Sequence, residues 1–245
     1  MKVIILAAGK GSRINSATDL MPKVLREVKG KALISYVLDK LPPVVQPSDV
    51  HVVVGFMKER VLSHIGPAYA ICEQDVQLGT GHAVAICRED FASYDGPVMV
   101  LYGDMPCFRR ETYQGLIDAH LADGNDATVL VCSAPKDNIP PYGRVILNED
   151  GQLSDIVEEK DCTPEQKGIT LLNVGAYVFD SKKLFAALSK IKNDNAQGEY
   201  YLPDVPKVLK DEGYKVSAYT IYDINESIGV NTFEDLAACE RMIED

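Results

Sequence analysis

Residues 6–13 read Leu-Ala-Ala-Gly-Lys-Gly-Ser-Arg, directly after the apolar residues Val3, Ile4 and Ile5. A short apolar run that ends in glycines is the pattern of a buried strand turning toward a helix. Gly9 and Gly11 let the backbone approach a ligand closely and reach φ values that other residues resist. Small residues in series leave N–H groups free to face an anion, and Arg13 adds a cation that cannot be deprotonated. The natural guest is a polyphosphate. Two familiar phosphate loops do not match. The dinucleotide fingerprint needs a third glycine where Ile14 stands, and no Gly-Lys-Ser/Thr follows at the Walker spacing. An ordinary glycine turn between a strand and a helix is the plain alternative.

Outward from this stretch, apolar runs of strand length recur at 50–54, 69–72, 98–101 and 127–132. Helical patterns lie between them at 32–41, 58–65, 81–88 and 110–123. Near-continuous apolar strands alternating with helices predict an α/β fold, a mostly parallel sheet covered on both faces. Ligands of such sheets bind outside the carboxyl ends of the strands, where residues 6–13 and Tyr-Gly-Asp-Met-Pro (102–106) both fall. Past residue 132 the rhythm changes. Strand-like runs at 142–147, 153–158 and 170–179 are followed by helices at 181–189 and 202–213 around a polar loop, 192–198. Asn148-Glu149-Asp150-Gly151 marks a hairpin turn between the first two runs. A strand at 215–219 and a helix at 233–243 complete the pattern. No Pro/Gly/Ser-rich linker interrupts it. Residues 1–245 are therefore expected to form one domain, with a nucleotide-facing half at 1–132 and an acceptor-facing half at 133–245.

Composition narrows the partners. With 36 acidic against 25 basic side chains the net charge is −11. That balance argues against a nucleic acid or an anionic membrane surface as partner. A phosphorylated small molecule needs only a local cluster of cations. No apolar stretch approaches the roughly 18 residues of a membrane span, and no basic-then-apolar leader precedes the first strand, so no secretory signal is expected. Cys72, Cys87, Cys107, Cys132, Cys162 and Cys239 are scattered without a C-x-x-C pair. Such cysteines fit a reducing cytoplasm and argue against structural zinc.

Several residues carry chemistry. Asp104 follows an apolar run, and a carboxylate at the mouth of a parallel strand can hold a divalent ion; capping the next helix is its alternative. Asn231, in Ile-Gly-Val-Asn, offers a neutral oxygen to the same ion or, alternatively, an N-cap for the last helix. Gln-Leu-Gly-Thr-Gly-His (77–82) places Gly79, Thr80 and Gly81 before a helical pattern, another close-approach surface. Gln74 has both the donor and the acceptor needed to read a base edge. His82 has no paired nucleophile and reads as structural; His51, His64 and His120 show no metal-ligand spacing. Lys23 can join Arg13 on the same phosphates or sit in solvent. Glu158, Asn173 and the Tyr142-Gly143-Arg144 turn supply groups suited to sugar hydroxyls.

Taken in order, LAAGKGSR, PKVL, QLGTGHA, YGDMP, YGRV, IVEEKD, NVGAYVF, NAQGEYYLPD and GVN span nearly the whole chain. This series resembles the sugar-phosphate nucleotidyltransferases, most of all the uridylyltransferase domain of the bifunctional bacterial enzymes that make UDP-N-acetylglucosamine. The resemblance implies a three-layer α/β/α Rossmann-like nucleotidyltransferase fold with a mostly parallel mixed sheet. It also implies roles. Leu6, Ala7, Ala8 and Gly9 meet the nucleotide, while Gln74, Gly79 and Thr80 read uracil. Asp104 and Asn231 bind magnesium (Mg2+). Gly143, Glu158 and Asn173 hold the sugar, and Arg13 and Lys23 steady the triphosphate. The implied partners are UTP and a sugar 1-phosphate, N-acetylglucosamine 1-phosphate foremost, in a monomer or small homo-oligomer. The implied reaction is in-line attack by a sugar-1-phosphate oxygen on the α-phosphorus of UTP, with pyrophosphate leaving. It needs no protein nucleophile, in keeping with the lack of any Ser/His/Asp or Cys/His arrangement. Two features depart from the family. The stretch between Arg13 and Lys23 is about three residues longer, and Asn-Val-Gly at 173–175 lacks the usual hydroxyl residue. No hexapeptide repeats occur, so acetyl transfer is not expected of these residues. Cytidylyl, thymidylyl or guanylyl transfer to another phosphorylated acceptor, or a catalytically silent nucleotide-binding subunit, are the competing readings.

Overall fold

The computed structural model describes residues 1–16 and 19–243. In chain order the strands are β1 (Lys2–Leu6), β2 (Glu27–Val28), β3 (Lys31–Ala32), β4 (Val50–Val54), β5 (Ala70–Glu73), β6 (Pro97–Tyr102), β7 (Ala127–Ser133), β8 (Gly143–Leu147), β9 (Leu153–Val157), β10 (Leu171–Asp180) and β11 (Val216–Ile221). The helices are α1 (Leu33–Asp39), α2 (Lys58–Ile65), α3 (Thr80–Ala85), α4 (Arg110–Ala122), α5 (Pro164–Lys167), α6 (Ser181–Leu188), α7 (Asp204–Asp211) and α8 (Phe233–Met242). Every strand and helix expected from the sequence has a counterpart within two residues at each end, apart from the helix expected at 81–88. That segment is the short α3 and then a 3-10 turn, Ile86–Phe91.

The main sheet runs β11-β7-β10-β6-β1-β4-β5, with β8 on β10 and β9 on β8. β1 pairs in parallel with β4 and β6, β4 with β5, and β7 with β11. Only β10 runs against its neighbours in that seven-strand path. Alternation of side chains along each strand builds a core on either face. Val3 and Ile5 of β1 pack with Ile34, Val37, Val61, Leu116 and Ile117 of α1, α2 and α4. Ile4, one position along, packs with Val84, Leu184, Leu188, Val205 and Leu209 of α3, α6 and α7. The result is helix, sheet, helix: three layers. A smaller cluster seats α8 against the β2–β3 hairpin through Cys239, Val230, Val28 and Leu33.

One irregularity of β10 opens the sheet where a ligand can enter. Residues 176–180 pair with β6, whereas Leu172 and Asn173 pair with Arg144 and Gly143 of β8. Between these partners the register against β7 slips by a bulge, and Gly175 takes φ +78. A Cβ there would stand 2.6 Å from the Tyr102 ring, so only glycine lets the strand pass.

Candidate active site

The carboxyl ends of β1, β5 and β6 and the broken edge of β10 enclose a cleft of about 420 Å³. Its size suits a small molecule. Leu6, Ala8 and Gly9 line one wall with Gln74, Gly79 and Thr80; Gly143, Glu158 and Asn173 line the opposite side; Lys23, Asp104 and Asn231 lie on the same surface. Of the residues given a nucleotide, sugar, metal or phosphate role, Ala7 and Arg13 are not on this wall, and neither is Arg144 of the turn at 142–144. Ala7 is packed into the core with its N–H donating to the Val53 carbonyl. Arg13 is exposed, with Nη2 donating to Asn231 Oδ1 at 2.8 Å.

The loop after β1 is built as an anion cradle requires. The amides of residues 8–13 donate to no described acceptor, and a Cβ on Gly9 would meet nothing within 4 Å. Gly11 takes φ +66, and Lys23 packs so closely there that a Cβ would be 2.8 Å from its own. Lys23 is thereby aimed inward. Its ammonium pairs with Asp104 and donates to Asn231 Oδ1 at 3.1 Å. Ala17 and Thr18, in the longer stretch, lie outside the described residues.

The capping alternatives fail on geometry. Helix α4 begins six residues after Asp104, with Arg109 at its N-cap. Thr232, not Asn231, caps α8, in a reciprocal box with Asp235. The Asp104 carbonyl accepts from Val230 N–H at 3.0 Å, which holds the Asn231 segment beside β6. A carboxylate and an amide oxygen therefore contact one cationic atom, so both can reach a single cation. Two hard oxygens beside water-accessible space are a donor set that fits magnesium.

Gly79 and Gly81 serve a different close approach from the one expected. A Cβ on Gly79 would be 2.5 Å from the Tyr200 carbonyl, and the Gly81 N–H donates to that same oxygen at 2.7 Å. Thr80 Oγ1 accepts from Leu202 N–H at 3.0 Å. The glycines admit the Tyr200–Leu202 segment of the second half, and the Gly81 amide of the short α3 is spent on it. Gln74 is buried, and its Nε2 donates to the Gly79 carbonyl at 3.2 Å and to His82 Nδ1 at 3.0 Å. Burial lowers the His82 pKa, which keeps the ring neutral and able to accept. His82 is thus a support for Gln74.

On the far side, Asn173 Nδ2 donates to the Tyr177 hydroxyl at 2.7 Å. Tyr177 is wholly buried behind Asn173, while Tyr102 lines the cleft between Thr80 and Asn173. Glu158 differs: among the described residues nothing donates to its carboxylate. Burial, with Asp204 and Asp161 nearby and only partly offset by Arg144, pushes its pKa up to about 7. Arg144 itself is spent on the carbonyls of Pro140, Tyr142 and Lys167. It holds the turn at Gly143 and faces no ligand. Sequence reasoning missed Tyr102 and Tyr177, and also Gln77, whose Nε2 donates to the Ala8 carbonyl at 2.6 Å. Tyr102 stands directly before the Gly-Asp pair and was legible there; Tyr177 reads as an ordinary strand aromatic.

Residues 3–202 match the family described as MobA-like NTP transferase domain. The chain is 43% identical over 237 residues to the bifunctional protein GlmU of Lactococcus lactis subsp. lactis, covering 97% of this chain and 50% of the relative. It is 43% identical over 240 residues to the bifunctional protein GlmU of Streptococcus thermophilus, covering 98% and 51%. The chain thus spans about half the length of the curated relatives it matches. A crystal structure of a putative glucose-1-phosphate thymidylyltransferase from Bacillus anthracis, in complex with a sucrose, superposes with a TM-score of 0.76. It shares 22% identity, with 100% of this chain and 97% of that one covered, and it establishes the fold.

Proposed function

The chain belongs to the MobA-like NTP transferase domain family and is a nucleotidyltransferase, and we propose that it transfers UMP from UTP to N-acetylglucosamine 1-phosphate, releasing pyrophosphate. The observation that carries the reading is the cleft itself. One wall offers the free amides after β1, the other offers Glu158 and Asn173, and Lys23, Asp104 and Asn231 stand on the surface they share. The substrate choice rests on likeness to the GlmU half that this chain covers.

In this reading the amides after β1 and the Arg13 guanidinium bind the triphosphate, and the Gln74 carbonyl oxygen accepts from the base. Asp104 and Asn231 would hold a magnesium ion, whose charge would offset that of the phosphates. Lys23 then exchanges its Asp104 partner for a phosphate oxygen. Glu158 accepts from sugar hydroxyls, and Asn173 is kept in register by Tyr177. No side chain is asked to attack phosphorus; catalysis is placement and charge neutralisation. The test is pyrophosphate release with four nucleoside triphosphates against a panel of sugar 1-phosphates in magnesium. Highest kcat/KM for UTP with N-acetylglucosamine 1-phosphate supports the proposal. Preference for another nucleotide, or release without an acceptor, overturns it.

A further inference from the structure

A second cluster lies outside the cleft. His51 of β4, Cys72 of β5 and Asp90 of the 3-10 turn at 86–91 bring one ligand atom each within 4.8 Å of one another. His51 Nδ1 stands 3.3 Å from Asp90 Oδ2, and Cys72 Sγ stands 3.5 Å from the same oxygen. None of the three lines the cleft. The N···O distance is long for a simple hydrogen bond, whose usual separation is about 2.9 Å, while the S···O distance is one that a thiol hydrogen bond also allows. They match another geometry. Tetrahedral zinc holds nitrogen and oxygen at roughly 2.0 Å and sulfur at roughly 2.3 Å, which sets adjacent N···O at roughly 3.3 Å and S···O at roughly 3.5 Å.

We propose that His51, Cys72 and Asp90 form a binding site for a borderline-soft divalent cation of the zinc class, separate from the magnesium pair in the cleft. The donor types fit that class: an imidazole nitrogen, a thiolate and one carboxylate oxygen. Cys72 and His51 are buried, whereas the Asp90 side chain is 47% exposed, so an ion has an entry path and an open coordination position. The site joins two strands to the turn that follows α3, and an ion there fastens that turn to the sheet edge.

The cluster already draws one cation. Lys2 Nζ lies 3.4 Å from His51 Nε2 and donates to the Asp90 carbonyl at 3.2 Å, over the rings of Phe91 and Tyr94. With Lys2 donating to Nε2, the neutral imidazole carries its proton on Nδ1. Binding a metal at Nδ1 moves that proton to Nε2, releases the Cys72 thiol proton to solvent, and displaces Lys2. Lys2 is therefore a competitor, and its removal should tighten binding.

The test is titration of chelator-stripped protein with cobalt(II), in excess magnesium to fill the cleft site. Thiolate ligation gives a near-ultraviolet charge-transfer band that oxygen ligands cannot produce. The expected result is one equivalent of band, bleached by zinc, absent in Cys72→Ser, preserved in Cys87→Ser and reached at lower cobalt in Lys2→Met. Asp90→Asn, at an exposed position that does not endanger folding, should weaken cobalt affinity at least tenfold. Absence of the band in the parent protein, its survival in Cys72→Ser, or unchanged affinity in Asp90→Asn overturns the proposal.

Discussion

At the residue scale, Lys23 and Asp104 pose the sharpest question, because each is the other's partner. Asp104→Asn keeps the shape but removes the charge that a divalent ion needs. Turnover should fall by about two orders of magnitude or more while the thermal midpoint holds; near-normal rates at saturating magnesium would contradict the role given to Asp104. Arg13 reaches the cleft only through Asn231, so Arg13→Ala should lower kcat at saturating UTP if its hydrogen bonds strengthen as pyrophosphate leaves. A change confined to KM would mean that it binds the ground state alone. Glu158 makes a separate prediction. With its pKa near 7, the free enzyme carries a mixture of acid and carboxylate at neutral pH. The carboxylate accepts from hydroxyls more strongly, so sugar-phosphate affinity should improve as pH rises through about 7, relative to Glu158→Gln, in which this step is absent. Calorimetric titrations from pH 6 to 8 on both proteins decide it. Glu158→Ala and Asn173→Ala should each cost about 1–3 kcal/mol in sugar-phosphate binding, with UTP binding unmoved. Their losses should fail to add if both hold one sugar ring.

At the scale of elements, the two halves meet where Gly79 and Gly81 admit the Tyr200–Leu202 segment. Gly79→Ala places a methyl group against backbone and demands φ +111 of an alanine. It should destabilise the protein by about 1–3 kcal/mol and raise the KM for UTP, read by denaturant unfolding and initial rates. Wild-type stability in this variant would mean that the junction is looser than the contacts indicate. Elements of the α/β alternation were legible because apolar runs of four to six residues between helical periods have few other readings. The β2–β3 hairpin was not, since two-residue strands have no period to detect. Helix α5 carried a signal that went unused: Thr163 and Gln166 form a capping box around Pro164. The slip in β10 was invisible in principle, because Gly175 marks a special backbone position without saying that the strand changes partners there. For the same reason the cleft residues were nameable from their motifs, but the support that Tyr177 gives Asn173 was not. Nor could the sequence show that His51, Cys72 and Asp90 meet, since they lie on three elements with no common spacing.

At the scale of the whole molecule, a strongly acidic chain holds carboxyls that are partly withdrawn from water. Burial pushes Asp204 up to about 6, with Asp155, Asp161 and Asp194 adding to the effect, and Glu158 to about 7. Both folded values exceed those of the unfolded chain, so these two carboxyls bind more protons in the native state between about pH 4 and 7, while His82 and His120, lowered by burial, bind fewer. The carboxyl contribution to stability should therefore fall as pH rises through that window, and Asp204→Asn should gain stability relative to the parent from pH 5 to 8. Urea midpoints of both proteins check the sign; a constant or shrinking difference would contradict it. The central claim is that the two walls of the cleft bring UTP and a sugar 1-phosphate together for direct transfer. The most direct measurement follows UTP labelled at the α-phosphate through a single turnover with N-acetylglucosamine 1-phosphate. The account predicts all the label in UDP-N-acetylglucosamine, none in pyrophosphate and none on the protein; label on the protein, or none in the sugar nucleotide, would contradict it.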